Sequence, residues 1–190
     1  MNKNINQLQG LRVAILATDG FEEAELVQPR KALDDAGAKT VLIAPRVGKL
    51  QAMKHRDKSG TVKADMILDE ANPAEFDAVL LPGGVLNADA LRMNETAQAF
   101  VKHIDAQHKP IAVICHGPWL LISAGLTLQR TLTSYFTIQD DVRNSGANWV
   151  DQEVIQDKNW VSSRKPDDIP AFNKKMLEVF GESRSRAKSA

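Results

Sequence analysis

The chain has 190 residues with 24 basic and 24 acidic side chains, so its net charge of zero offers no basic surface for nucleic acid or an anionic membrane. Its single cysteine excludes an internal disulfide and a cysteine-cluster metal site. No apolar run approaches the roughly 20 residues that span a bilayer, and the first ten residues lack the apolar segment of a secretory signal. We therefore expect a cytoplasmic protein of one domain, with no nucleic-acid or membrane partner and no metal or other cofactor.

The first third of the chain has the pattern of strands in a parallel sheet with an intervening helix. Residues 11–17 form an unbroken apolar run, which predicts a strand buried on both faces. A helix is predicted over 19–37, with a kink at Pro29, because proline lacks an amide hydrogen. A second buried strand covers 39–45. Residues 46–60 carry charges of both signs and predict a hairpin or a loop.

The remaining elements continue the alternation of strands and helices. One short strand and a turn are expected within 61–76, and a Pro-Gly-Gly turn follows the third central strand. The later predicted strands are 77–81, 111–115 and 131–134, with a hairpin around 157–159; the predicted helices are 88–107, 119–124, 136–144 and 165–180. Together these elements predict a doubly wound α/β sandwich whose core covers about 11–181, with a disordered polar tail over 182–190.

Three chemically suggestive stretches follow predicted strands: "DGFEEAE", "PGG" and "CHGP". In a doubly wound sheet, ligands bind beyond the carboxyl ends of the strands. The topology therefore predicts that these stretches meet at one edge of the sheet, although they are far apart in the sequence.

The stretch "AVICHGPWLLISAGL" places Cys115, the only cysteine, where a strand breaks into a helix. Such a turn resembles a nucleophile elbow, and the start of a helix favours thiolate, which predicts a lowered thiol pKa. A lone cysteine next to isoleucine is also compatible with an inert packing residue. The position at the turn favours the nucleophile.

Other residues in these stretches have two interpretations each. His116 is either a base for Cys115 or a helix cap. Glu22 and Glu25 either form a solvated acidic first turn of a helix, or one of them is a buried acid near the thiol. A buried acid that is protonated would donate a hydrogen bond to the thiolate. Gly83 and Gly84 either present amides to an oxyanion or form a plain turn.

The motifs "DGFEEAEL", "FDAVLLPGG", "ICHGPWLLISAGL" and "TSYFTIQDDVRNSGANWVDQEV" together resemble the PfpI family of intracellular cysteine proteases and protein deglycases. That family belongs to the superfamily of the human parkinsonism-associated protein, and the similarity covers nearly everything from Leu11 to Phe180. It implies a flavodoxin-like sandwich, similar to class I glutamine amidotransferase domains.

The resemblance also implies roles for individual residues. Cys115 corresponds to the nucleophile and His116 to its base, and either Glu22 or Glu25 contacts the thiol. The implied oxyanion donors are the amides of Gly84 and His116, and Gly83, Gly117 and Tyr135 belong to the surrounding turn and pocket. Some members complete the triad with an acid from an adjacent subunit, for which Asp89 is the nearest match. This implies a homodimer or a larger homo-oligomer.

Three functions remain open at this point. The first is a stress-response enzyme that attacks the carbonyl group of a peptide, a methylglyoxal-modified protein or a small aldehyde. The second is an oxidant sensor whose cysteine stops at sulfinic acid. The third is a chaperone without robust proteolysis. The position of Cys115 favours the first two.

Overall fold

A parallel sheet separates two layers of helices in the computed structural model, which describes residues 7–189, with side chains up to residue 183. The strands are β1 Arg12–Leu16, β2 Phe21–Glu22, β3 Lys39–Ala44, β4 Lys49–Lys54, β5 Asp57–Lys63, β6 Met66–Ile67, β7 Ala78–Leu81, β8 Ile111–Ile114, β9 Thr131–Leu132, β10 Asn148–Trp149, β11 Val154–Asp157 and β12 Trp160–Ser163. The α-helices are α1 Glu23–Asp35, α2 Val85–Arg92, α3 Glu95–Ala106, α4 Pro118–Ser123, α5 Gln139–Asn144 and α6 Ile169–Ser189.

The main sheet has the order β11-β12-β8-β7-β1-β3-β6 in the described part of the chain. All neighbours in it are parallel except β11, which runs antiparallel to β12. The central strands are buried on both faces, as their unbroken apolar sequences predict. The predicted doubly wound α/β sandwich is therefore confirmed.

Each face of the sheet has its own hydrophobic core. One core contains Leu26 and Leu33 of α1 together with Phe172 and Phe180 of α6. The other contains apolar residues of α2, α3 and α4, including Leu91, Phe100 and Leu120. This division places α1 and α4, which follow β1 and β8, on opposite faces while both begin at the same edge.

Several predicted boundaries need correction. Phe21 and Glu22 are extended and pair with β4, so α1 begins at Glu23, and it continues through Pro29. The segment 46–60 belongs to the β4–β5 hairpin, one of the two alternatives. The predicted helix over 88–107 is two helices, because the side chain of Asn94 accepts the amide of Ala97 and starts α3.

The prediction of a disordered tail over 182–190 is also wrong for the residues up to Ser189. The backbone of α6 remains helical to that residue. After Gly181 the chain contains no proline or further glycine, and its Glu, Arg, Lys and Ala residues have good helix propensity. Ala190 lies outside the described residues.

Candidate active site

The carboxyl ends of β7 and β8 meet the start of α1 at one edge of the sheet. The amide of Gly83, after β7, donates to Glu25 Oε2 at 2.9 Å. A Cβ on Gly83 would lie 2.6 Å from Cys115 Cβ and would also collide with Glu25 Oε2. Only a residue without a side chain therefore lets these two groups approach each other, and the predicted convergence of the three stretches is confirmed.

Asn87 of α2 holds the loops of this edge together. It is fully buried, and its Oδ1 accepts the amide of Thr18 at 2.7 Å. Its Nδ2 donates to the carbonyls of Pro82 and Gly83 at 3.1 and 2.9 Å. One amide side chain thus ties the loop after β1 to the Pro-Gly-Gly turn, because it supplies both a donor and an acceptor.

Cys115 has a left-handed backbone, with φ of +62°. This conformation costs a residue with a side chain roughly 1–2 kcal/mol and persists where neighbours fix it. Here the Cys115 amide donates to Ser163 O at 3.1 Å, and the Cys115 carbonyl accepts the amide of Tyr135 at 2.9 Å. The sharp turn lifts the sulfur off the end of β8, as in a nucleophile elbow.

Glu25 is the acid that meets the sulfur. Its carboxyl group is completely buried and forms a hydrogen-bonding contact with the Cys115 thiol. Burial raises its pKa to about 8, because a charged carboxylate loses its hydration there. Glu25 is therefore protonated at neutral pH and can donate a hydrogen bond. Its second oxygen, Oε1, is buried and has no hydrogen-bond partner.

Glu22 has a different partner. Its Oε2 accepts the backbone amide of His55 at 2.9 Å, at the turn of the β4–β5 hairpin. It also lines an open cavity of about 350 Å³ together with Lys54, His55 and Pro166. Of the two glutamates that the sequence left as alternatives, Glu25 contacts the thiol and Glu22 anchors the hairpin.

Cys115 is only 7% exposed, and burial raises the pKa of its thiol well above the usual value. A charged Glu25 raises it further, whereas the amides of Gly84 and His116 lower it. The prediction of a lowered thiol pKa is therefore wrong for this site. The six-residue α4 is too short for its dipole to compensate for the lost hydration of a thiolate.

His116 places a ring nitrogen next to this thiol. Its Nδ1 lies 3.1 Å from Cys115 Sγ. Burial lowers the pKa of His116 to about 4, so the imidazole is neutral at neutral pH. The ring packs against Tyr135 at 5.0 Å and edge-on against Trp119 at 5.3 Å between centroids. The predicted base therefore faces the sulfur in a form that can accept its proton.

The three glycines serve different purposes. The amide of Gly83 is already used by Glu25, whereas the amide of Gly84 points at the sulfur. Gly84 has φ of +88°, and a Cβ on it would collide with the backbone of Gly20 and Phe21. A Cβ on Gly117 would lie 2.8 Å from Leu81 O. The last two glycines are thus required for close approach of backbone segments around Cys115.

Asp89 does not orient His116 within the chain. It is exposed on α2, near Val85 and Leu86, whose exposed fractions are 51% and 63%. The distal nitrogen of His116, Nε2, instead lies 3.3 Å from Thr137 Oγ1. Among the described residues, His116 has no carboxylate on its ring.

Sequence reasoning missed three residues of this site: Asn87, Thr137 and the amide of His55. Their polar groups act through contacts 21 to 69 residues away in the chain. Asn87 follows the Pro-Gly-Gly turn on the first turn of α2, and this is the one sequence signal that could have drawn attention to it.

Residues 7–189 contain no helix that is both long and apolar enough to cross a bilayer. The described part of the chain also has no group of three or more His, Cys, Asp or Glu side chains that could hold a metal ion.

A doubly wound sheet with a cysteine elbow, a buried glutamate and an adjacent histidine defines a class of α/β cysteine proteins. The model of the DJ-1/PfpI family matches residues 11–179. The chain belongs to this family, as its motifs predicted.

Two relatives and one solved structure illustrate the similarity. Deglycase TK1284 of Thermococcus kodakarensis is 43% identical over 170 residues, which cover 90% of this chain and 99% of the relative. Protein/nucleic acid deglycase 2 of Escherichia coli is 42% identical over 171 residues, covering 90% and 98%. A two-domain protein of Anabaena variabilis, with DJ-1/ThiJ/PfpI-like and ferritin-like domains, has a TM-score of 0.85 and 33% identity. The match covers 90% of this chain and 48% of that one.

Proposed function

We propose that the chain is a cysteine enzyme that adds its thiol to carbonyl groups, and that it acts as a deglycase on methylglyoxal adducts of proteins and on the aldehyde itself. The observation that carries this is the left-handed Cys115, with Glu25 in contact and His116 Nδ1 at 3.1 Å from its sulfur. The names of the two deglycase relatives support the same reaction class.

The first step follows from the protonation states of the site. As Sγ attacks the carbonyl carbon, the thiol proton moves to the neutral imidazole at Nδ1 of His116. The amides of Gly84 and His116 stabilise the oxyanion, and a proton from the protonated Glu25 or from His116 completes the hydroxyl group. Addition therefore needs no charged base in the resting enzyme.

The burial of the sulfur favours small carbonyl compounds over folded peptides. Only 7% of Cys115 is exposed, so little of its surface is available to a folded peptide. PfpI-type peptidase activity is therefore the weaker alternative.

We also propose that the enzyme is cytoplasmic and works as a homodimer or a larger homo-oligomer. The reactive thiol needs a reducing compartment. Val85 and Leu86 expose apolar surface next to Asp89, at the edge of the sheet that carries Cys115. Burial of this surface by a second copy would bring Asp89 of one copy towards the pocket of its neighbour.

The test is the release of free amine and lactate from a methylglyoxal-modified lysine or arginine peptide by the purified chain. We expect a rate about 100-fold or more above that of Cys115→Ala, the size of effect that general acid–base chemistry commonly supplies. Equal rates for the two proteins would exclude the proposed reaction. A second arm with unmodified peptides measures the alternative, peptidase activity.

A further inference from the structure

The orientation of His116 depends on a residue to which no role has yet been given. An imidazole that serves as a base needs a partner on its second nitrogen, and the usual partner is a carboxylate. In this chain the second nitrogen, Nε2, meets the hydroxyl group of Thr137 at 3.3 Å. Thr137 belongs to the 3-10 turn Phe136–Ile138, which follows directly after Tyr135.

We propose that Thr137 is the positioning residue of His116, and that its hydroxyl group holds the ring in the tautomer whose Nδ1 faces Cys115. The proposal deepens the proposed function and rests on it for the substrate class. Thr137 acts through His116 and not through a contact with the substrate.

A hydroxyl group both donates and accepts hydrogen bonds. Thr137 can therefore accept from Nε2–H, and this contact holds the ring in the tautomer whose unprotonated Nδ1 faces the thiol. Once Nδ1 has taken the proton of Cys115, both ring nitrogens carry protons, and Thr137 still accepts from Nε2–H.

His116 is therefore an imidazolium only from the moment it takes the thiol proton until a proton reaches the new hydroxyl group. Addition of a thiol to an aldehyde moves one proton from sulfur to oxygen, and a neutral imidazole held in this tautomer is sufficient for it.

The surroundings of the ring are consistent with this assignment. Cys115 lies on the Nδ1 side, and Tyr135 packs against the ring. Trp119 contacts the ring edge; its indole donates to Asp141 at 2.8 Å and lies under the Arg92 guanidinium at 5.1 Å. The charged side chains of Arg92 and Asp141 therefore contact Trp119 and do not take the place of Thr137 at Nε2.

The test compares Thr137→Val, which removes the hydroxyl group at nearly constant shape, with Thr137→Ser, which keeps it. Thr96→Val is the matched control. Thr96 lies in α3, is also exposed and also forms a hydrogen bond through its hydroxyl group, to Asp69 Oδ1 at 3.1 Å. Two quantities are measured: the kcat/KM for methylglyoxal, and the protonated ring nitrogen of His116 by nitrogen-15 NMR of histidine-labelled protein.

We expect Thr137→Val to lower kcat/KM by about fivefold to tenfold, the effect of one lost hydrogen bond, and to shift the tautomer ratio of His116. Thr137→Ser should restore both, and Thr96→Val should change neither. An unchanged tautomer ratio in Thr137→Val would overturn the proposal even if the activity fell. A tautomer shift in a chain that has no activity on methylglyoxal would support the positioning role and exclude the proposed function.

Discussion

Glu25 and Cys115 meet through their side chains although one begins a helix and the other ends a strand, and the contact excludes water from both. Gly83 lies between them and gives its amide to Glu25. Because both groups titrate in the same small space, the protons belong to the pair as much as to either residue. The charge of Glu25 therefore influences both the reactivity of the thiol and the stability of the fold.

The first prediction separates the two glutamates. Glu25→Gln removes the charge that opposes thiolate formation above pH 8 and keeps a neutral donor, so the inflection in the alkylation rate of Cys115 should move to lower pH. Glu22→Gln should leave the inflection nearly unchanged, because Glu22 bonds to the His55 amide. Iodoacetamide rates measured against pH provide the test. Equal shifts in the two variants would contradict the assignment of Glu25.

The second prediction concerns turnover in the same variant. Glutamine cannot transfer a proton, so Glu25→Gln should lower kcat for methylglyoxal by about 100-fold while its thiol alkylates more readily. A steady-state assay next to the alkylation assay checks this opposite response. Parallel changes in the two rates would indicate that Glu25 acts only on thiol ionisation.

The third prediction is a pH dependence of stability. The pKa of Glu25 is raised in the folded state to about 8, so the folded state holds this proton more tightly than the unfolded chain does. The resulting stabilisation is complete below the unfolded value and is lost as pH rises to 8. His116 has the opposite sign: its pKa is lowered to about 4, so its contribution grows from pH 4 to about 6.5.

Between about pH 6.5 and 8 the contribution of Glu25 is therefore not offset by His116. The free energy of unfolding should fall there by about 1 to 2 kcal/mol. Urea denaturation at a series of pH values measures it, and Glu25→Gln is the control, with a flatter profile. A wild-type profile as flat as that of the variant would show that the buried carboxyl does not hold its proton.

The fourth prediction tests the neutral state of His116. Because burial lowers its pKa to about 4, the ring signal of His116 should not titrate between pH 5 and 8. Proton NMR of the wild type identifies this signal by its loss in His116→Gln. A midpoint near 6.5, the value of an unperturbed histidine, would contradict the neutral proton acceptor of the proposed first step.

The fifth prediction concerns the space between the two reactive groups. Gly83→Ala introduces a Cβ that would collide with Glu25 Oε2 and lie 2.6 Å from Cys115 Cβ. We expect loss of activity and destabilisation by about 1 to 3 kcal/mol from overpacking. Gly60→Ala is the control, because its Cβ would meet only the carboxylate end of Glu23, at 3.1 Å. An active, stable Gly83→Ala protein would mean that Glu25 and Cys115 can separate without consequence.

Assembly is tested by sedimentation of the wild type and of Leu86→Glu. Met93→Glu is the control, because Met93 is another exposed apolar side chain further along the chain. We expect an oligomer that only Leu86→Glu dissociates, because a buried charge at an apolar contact is costly. A monomeric wild type at micromolar concentration would remove the shared site and with it any role for Asp89.

Much of the fold was determined by local sequence. The unbroken apolar runs of β1, β3, β7 and β8 could only be strands covered on both faces, and their alternation with helices fixed a parallel sheet. The position of Cys115 at the end of such a strand followed from the same pattern. Boundaries that depend on one side chain, such as the start of α3 at Asn94, were missed because capping is a three-dimensional contact.

The amino-acid sequence alone thus determined which edge of the sheet holds the candidate site, and that Cys115 and His116 lie at that edge. Tertiary structure decided the rest, because burial and pairing depend on residues brought together from distant segments. Glu22 and Glu25 have the same chemistry and lie three positions apart, and both are buried. Only the packing of α1 under Gly83 brings Glu25 to the thiol and leaves Glu22 at the hairpin. The raised pKa of Cys115 and the hydroxyl partner of His116 have the same origin: the loss of water around the thiol and the position of Thr137 exist only in the folded molecule.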